Sequence, residues 1–521
     1  MTVLKSKSVR PWMAALMLCL GATAAQAAKP LVVVLNADIR GTNPGVNRDG
    51  NTDGVMLNLV EGLVGYGADG RVKPLLAESV ALSEDGRSYT FTLRPGLQFH
   101  NGQPVTAAEV LWSWQRYMDP KTNWRCLSEF DGRNGLKVES VETPDARTIV
   151  MRINAAHALF LDSLARTDCA MAGVIHPDSV AADGSWKAPI GTGPFQLADW
   201  QRGQSVTLRR FPGYVSPPGE APDGAVGRKE ALVDEVRLMV VPDASTIKAG
   251  LASGALDISK VQNVDVPELA ANPALTLVED RTGGRNAILF QTRDPLLADP
   301  RMRRALAAAI DTRRLVGMVT EGKTEPNNSA VKRGSFYYSP AQARMLDYDP
   351  QRARELLKEA GYQGQRLRIT TNNRENIPSL PMAIVMQQML RDVGVESDID
   401  VVEWGTHMDR FLKGNYQVLV HSYSSRIDPA LSFEHFTGPK ASQPRKVWDD
   451  SEAQALLNQA MVVSDTAQRQ ALFDQLHERL LQEVPLVILF NPEEPWAASR
   501  RVTGFQPWEG MPRLWGVKAG D

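Results

Sequence analysis

A mixed α/β fold is predicted by three features of the chain. Short β-rich runs alternate with helical patterns along most of its 521 residues. No repeat with a period of roughly 20–50 residues and no low-complexity tract interrupts them. The composition, 43% hydrophobic and 23% charged, is that of an ordinary globular protein. At about 100–200 residues per domain, the length corresponds to two to four folding units. The 58 basic and 60 acidic residues nearly cancel, so neither nucleic acid nor an anionic membrane surface is an expected partner.

The elements follow in chain order. Residues 1–27 read as a signal peptide: Lys5, Lys7 and Arg10 form a basic start, Trp12–Leu20 an apolar run, and Ala25-Gln26-Ala27 a cleavage site. About ten apolar residues are too few to cross a ~30 Å hydrocarbon core, so cleavage near Ala27 and export are expected. Leu18 before Cys19, where a small residue belongs, argues against lipidation. Cleavage leaves Cys126 and Cys169, which in an exported protein are either a disulfide or two buried thiols.

Strands are predicted at Leu31–Leu35, Tyr89–Leu93, Thr148–Ile153, Ser205–Arg210, Val236–Val241, Ala287–Gln291, Leu367–Thr371, Gln417–His421 and Leu486–Asn491. Asp299-Pro300 and Asp349-Pro350 each supply an N-cap followed by a first-turn proline, and Gly361 ends the second helix. A further helix is expected at Gly54–Leu63. The proline- and glycine-rich segment Pro212–Gly227 is expected to be a surface excursion. Leu275–Gln291, around Gly283-Gly284, and Val484–Asn491 are the two segments able to join one lobe to another.

Enzyme motifs fail on context. Gly317–Thr324 fits the phosphate-loop pattern G-x-x-x-x-G-K-[ST], but Met302–Val319 before it reads as helix and Pro326 after it forbids one. Ser245-Thr-Ile-Lys248 has no accompanying K-T-G, and no H-E-x-x-H, G-x-S-x-G or C-x-x-C occurs. His407, His421 and His435 fall on different predicted elements and make no local ligand pair. Binding is favoured over catalysis, and no cofactor is called for.

Several segments resemble the extracytoplasmic solute-binding proteins of family 5, the peptide/nickel class serving ABC importers. Tyr89-Thr-Phe-Thr-Leu-Arg-Pro-Gly-Leu-Gln-Phe-His-Asn-Gly-Gln-Pro-Val-Thr-Ala-Ala-Glu-Val110 is similar to the family's strand, turn and F-x-D-G-x-P-[VL]-T-A-x-D-V signature, with Thr106 capping the helix that follows. Gly191-Thr-Gly-Pro-Phe195, Asp299–Asp311, Tyr348–Gly361 and Val484-Pro-Leu-Val continue the match in the family's order.

The resemblance implies a two-lobed periplasmic binding protein fold of type II, in the large cluster with an extra subdomain, its lobes joined by two hinge strands. Lobe I would comprise 28–279 plus 490–521, with an insertion near 72–188, and lobe II 280–489. It further implies a periplasmic monomer that captures a peptide or other small molecule between the lobes and presents it to membrane permease subunits.

In the dipeptide-binding branch an acidic residue holds the ligand's amino group and an arginine its carboxylate. Counting forward from Glu403-Trp404-Gly405 places Arg426 at the acidic position, and counting back from Asp428-Pro429 places Ser425 there. Either way the acid is missing. Asp428 belongs to the D-P turn, and the arginine maps to Asn373 or Arg374. Two arginines in the cleft would suit an anionic ligand and disfavour a free ammonium group. Asn51, Thr52 and Asp53 correspond to a cleft-lining loop, with Asp53 also a helix-cap candidate. Trp404 and Tyr423 are candidate apolar walls. A metal-chelate or opine binder is the alternative within the class, and an exported hydrolase the alternative outside it.

Overall fold

The computed structural model describes residues 1–2, 29–133, 135–373 and 377–520. Apart from its first two residues, the segment 1–27 expected to be a signal peptide lies outside the described residues, as does Arg374.

The strands assort into two large sheets. The first runs Leu275–Arg281, Glu493–Ser499, Ile258–Lys260, Leu31–Leu35, Glu235–Val240, Ser205–Arg210 and Phe195–Gln201 in spatial order. Leu31–Leu35 is parallel to both neighbours, so the centre of this sheet is covered on both faces. The second runs Ser397–Val401, Leu367–Thr371, Val418–Tyr423, Arg285–Phe290 and Leu486–Phe490. The protein is thus two α/β lobes. A third, antiparallel sheet comprises Ala77–Leu82, Ser88–Leu93, Thr148–Ile153 and Val138–Glu142. Along its inner strands Tyr89, Phe91 and Leu93, and Ile149, Met151 and Ile153, alternate inward. Their core runs on through Leu57 and Trp515 of the first lobe. Each such side chain removed from water contributes about 1.5–3 kcal/mol.

Local signals set most helix starts. Thr106 and Glu109 form a reciprocal capping box on Ala107–Met118. Asp299 caps Pro300–Ala309, and Asp349 caps Pro350–Glu359. Three expectations need correction. The helix placed at Gly54–Leu63 is Gly50–Leu59, because Asp49 accepts the Thr52 amide and starts it earlier. The continuous helix over Met302–Val319 is two helices, because Asp311 caps a new one at Thr312–Val319. The Pro212–Gly227 segment is not a plain surface excursion. A small hairpin, Pro222–Asp223 with Val226–Gly227, buries Ala225 and Val226 in the core.

Just beyond that hairpin, Lys229 and Glu61 are both 0% exposed, with Nζ 2.9 Å from Oε1. The Tyr214 hydroxyl donates to the same Oε1 at 2.8 Å, and Nζ lies 4.1 Å from the Trp515 ring centroid. Burial drives the Lys229 ammonium toward its neutral form, and Glu61 opposes it. Cys126 and Cys169 form a disulfide with Cα atoms 5.7 Å apart, which settles the choice that the sequence leaves open.

In the second lobe, folding brings His407 and His421 together, Nε2 to Nδ1 at 3.1 Å. The Phe411 ring stacks on His421, and Asn372 lies 3.4 Å from His407 Nδ1. Among the described residues, no third acidic, cysteine or imidazole ligand atom converges on this pair. It is therefore a hydrogen-bonded core pair. Burial, aided by Arg410, lowers His407 to about 4. Burial, aided by His407, lowers His421 to about 3.

Two stability predictions follow from these buried groups. Lys229→Met or Glu61→Gln should each lower the free energy of urea unfolding by about 3–5 kcal/mol, because the remaining charge is buried alone. Glu61→Leu with Lys229→Met should cost far less than either. The histidines are neutral in the folded state and charge more readily unfolded. Their stabilisation is thus complete above pH 6.5 and is lost as pH falls through 4 toward 3. Melting curves of His407→Leu/His421→Leu should show a shallower acid limb than the parent. An identical limb would mean that the pair does not titrate as described.

Candidate functional site

The chain passes between the lobes twice, at Thr282–Gly284 and at Asn491–Pro492. The two crossings lie side by side. The Thr282 amide donates to the Pro492 carbonyl at 3.3 Å, and Asn491 Nδ2 donates to the Gly284 carbonyl at 2.8 Å. Two close approaches favour glycine here. A Cβ on Gly283 would lie 2.5 Å from Ser425 Oγ, and one on Gly284 would lie 3.1 Å from Pro492 Cγ.

A cavity of about 860 Å³ opens at this crossing, within the roughly 300–1,000 Å³ of small-molecule sites. Residues of both lobes line it. Lys260, Glu279, Glu493 and Glu494 come from the first sheet and its edge, Asn373 and Ser422–Ser425 from strand ends of the second. Thr320 to Thr324, the segment that mimics a phosphate loop, also contributes. Gly317 sits inside a helix that Thr320 ends, so this segment lacks the strand–loop–helix order that phosphate cradling needs.

Among the charged, described residues of the lining, glutamates outnumber lysines. Glu494 pairs with Lys260 at 2.5 Å, and Glu493 Oε1 with Arg281 at 2.9 Å. Glu509 pairs through Oε1 with Lys332 at 2.5 Å. Its Oε2 accepts from Ser425 Oγ at 2.8 Å and from the Gly283 amide at 3.0 Å. Behind this wall, burial raises Asp280 to about 6 against the lowering effect of the Gly510 amide. Burial, reinforced by neighbouring Glu279, likewise raises Glu493.

The sequence-predicted residues divide. Asn373 and Ser425 line the cavity. Tyr423 is part of the wall, but its ring is 5% exposed and packs between His421 and His435, so it is mainly core. Arg426 sits half-buried at the margin, outside the lining. It donates to Ser424 Oγ at 3.1 Å and to the Ser425 carbonyl at 2.7 Å. Burial lowers its pKa, while Asp168 across from it favours the charged form.

Five expected contacts, Asn51, Thr52, Asp53, Trp404 and Asp428, are absent from the cavity lining. Asn51 donates to Asn36 and to the Ala37 carbonyl, and Thr52 accepts the Arg40 amide. Asp53 neither caps the helix nor lines the cavity, since Asp49 is the cap and Arg48 pairs with it. Burial nonetheless raises Asp53 to about 6. Asp428 caps the helix Pro429–Glu434 and holds Arg469 through both oxygens at 2.9 and 3.0 Å, a structural role. Trp404 stacks on His407, ring centroids 5.2 Å apart, rather than entering the lining.

Sequence reasoning missed Asn286, Glu279, Glu493, Glu494 and Glu509. The one available signal was Glu493-Glu494, directly after the apolar return strand already recognised as a crossing.

Comparison with known proteins accords with this geometry. Heme-binding protein A of Haemophilus influenzae is 26% identical over 469 residues, covering 84% of this chain and 80% of that protein. The glutathione-binding protein GsiB of Salmonella typhimurium is 26% identical over 509 residues, 95% of both chains. Among solved structures, HbpA2 from Haemophilus parasuis superposes with a TM-score of 0.81 at 23% identity, covering 95% of this chain and 100% of that one. The binding protein AgaA of A. tumefaciens R10, in complex with agropinic acid, gives 0.69 at 26% identity, covering 95% and 99%. Residues 71–444 match the family described as bacterial extracellular solute-binding proteins, family 5 Middle. With that match spanning most of its length, the chain belongs to family 5 of the bacterial extracellular solute-binding proteins, which are binding proteins of transport systems rather than enzymes.

Proposed function

We propose that this protein encloses a peptide-like small molecule, carrying at least one carboxylate, between its two lobes and hands it to the membrane subunits of an ABC importer. That it is the substrate-binding component of such an importer, partnered by permease subunits, follows from its family. The observation that carries the ligand reading is the cavity of about 860 Å³ at the paired crossings, lined from both sides of a hinge. A ligand touching both lobes binds the closed arrangement better than the open one, which is the condition for driving closure.

The proposed division places lobe I at 28–279 plus 490–521, with the insertion near 72–188, and lobe II at 280–489. Export with cleavage near Ala27, periplasmic residence and action as a monomer complete the proposal. Relatives named for glutathione, itself a tripeptide with two carboxylates, and for agropinic acid support a peptide-like or opine-like anionic ligand. Arg426, which follows the lining residue Ser425 and has no carboxylate hydrogen-bonded to it among the described residues, is the proposed carboxylate partner in lobe II. Asn373 and Ser425 are proposed as its neutral companions.

Intrinsic fluorescence of the tryptophans that remain once Trp12 is cleaved off, with glutathione and short acidic peptides as probes, should report saturable and reversible binding. Arg426→Ala should weaken it by at least ~1.5 kcal/mol, the lower range for a lost charge-assisted hydrogen bond. An affinity equal to the parent's would remove Arg426 from the site.

A further inference from the structure

We infer that the hinge-side wall of the cavity, made by Asn286, Glu279 and Glu493, is a subsite for a positively charged nitrogen of the ligand, an ammonium or guanidinium group. The inference deepens the proposed function and rests on it.

Asn286 opens the case. It lies on the hinge strand Arg285–Phe290, lines the cavity and is 1% exposed, yet its Oδ1 has no donor. A register shift falls between Asn286 and Ala287. Such bulges re-aim side chains beside binding sites. A buried carbonyl oxygen left without a donor is destabilising, a cost that an incoming N–H group would remove.

Two strands of the first sheet, Leu275–Arg281 and Glu493–Ser499, supply charge. Glu493 spends Oε1 on Arg281, while its Oε2 is buried without a donor. Glu279 lies close enough to make ionising Glu493 more costly. The wall therefore presents acceptors and negative charge in excess. A cation placed against it would relieve the repulsion and satisfy both unpaired oxygens.

A metal ion fits less well than an organic cation. Among the described residues, no three acidic, cysteine or imidazole ligand atoms at this wall converge within 4.8 Å of one another. The cavity is also far larger than an ion requires. An ammonium or guanidinium brings several N–H donors, one for each unpaired acceptor.

This location differs from the position after the strand Val418–Tyr423, where Ser425 and Arg426 stand in place of an acid. The expectation that a free ammonium is disfavoured concerns that loop alone. Acids elsewhere in the same cavity reverse it.

The test uses the processed full-length protein and two probes: a tripeptide library without Lys or Arg, bearing free α-amino groups, and the same library N-acetylated. Retention after gel filtration is read by mass spectrometry. Free-amine members should be retained at least ten-fold more than acetylated ones. Glu493→Gln, which keeps shape and an acceptor for Arg281, should abolish most of that preference, as should Asn286→Leu. Equal retention of both libraries would overturn the subsite and leave the peptide-binding reading intact. A preference unchanged in Glu493→Gln would overturn the assignment to this wall. Retention of neither library would overturn the subsite and the peptide reading together.

Discussion

The architecture depends on two chain crossings held as one unit. Asn491 is its centre: Nδ2 donates to the Gly284 carbonyl, while Oδ1 accepts from Asn327 Nδ2 at 2.9 Å and from the Arg333 amide at 3.4 Å. One buried amide thereby ties the outgoing crossing, the return crossing and a loop of the second lobe. Glycines at 283 and 284 let neighbouring groups approach where a side chain would collide. Hinges work when a few residues take up the change in dihedral angles while the bodies on either side stay packed. Here each body has its own sheet and hydrophobic core.

That geometry also explains why the binding chemistry sits at the crossing. Strand ends of both sheets point there, and strand ends are where side chains leave the ladder free to face a cavity. Glu509, from the C-terminal segment, reaches Ser425 of the other lobe and the Gly283 amide between them. The carboxylate missing from the loop after Val418–Tyr423 is thus met by one delivered from the opposite side. A ligand with charges of both signs would find arginine at one margin and carboxylates along the hinge. In a partly dry cavity such pairings are stronger than in water and correspondingly costly when left unmade.

Much of this was legible in the chain itself, and the reason differs by level. Strand positions such as Thr148–Ile153 and Leu367–Thr371 emerged with their observed limits because alternation and β-branched content are local properties. Helix starts at Pro300 and Pro350 were equally local, each marked by an aspartate cap. Errors arose where two local signals competed. Asp49 and Asp53 both qualify as caps, and only the packing of Gly50–Leu59 chose between them. Pro212–Gly227 has a loop composition, yet burial of Ala225 and Val226 makes it part of the core.

The site was legible only in part. Asn373 and Ser425 were reachable by position along recognisable segments, whereas Asn286 and Glu279 carry no motif at all. By itself the sequence determined the α/β class, the limits of some strands and helices, the two crossing segments and the family. All of these rest on spacing within a few residues or on ordered motifs. The tertiary structure alone decided the disulfide pairing, the contact between His407 and His421, and the acidic face of the cavity. Each joins groups far apart in the chain, as Gly284 and Asn491 are joined across 207 residues, and no local periodicity encodes a distance of that kind.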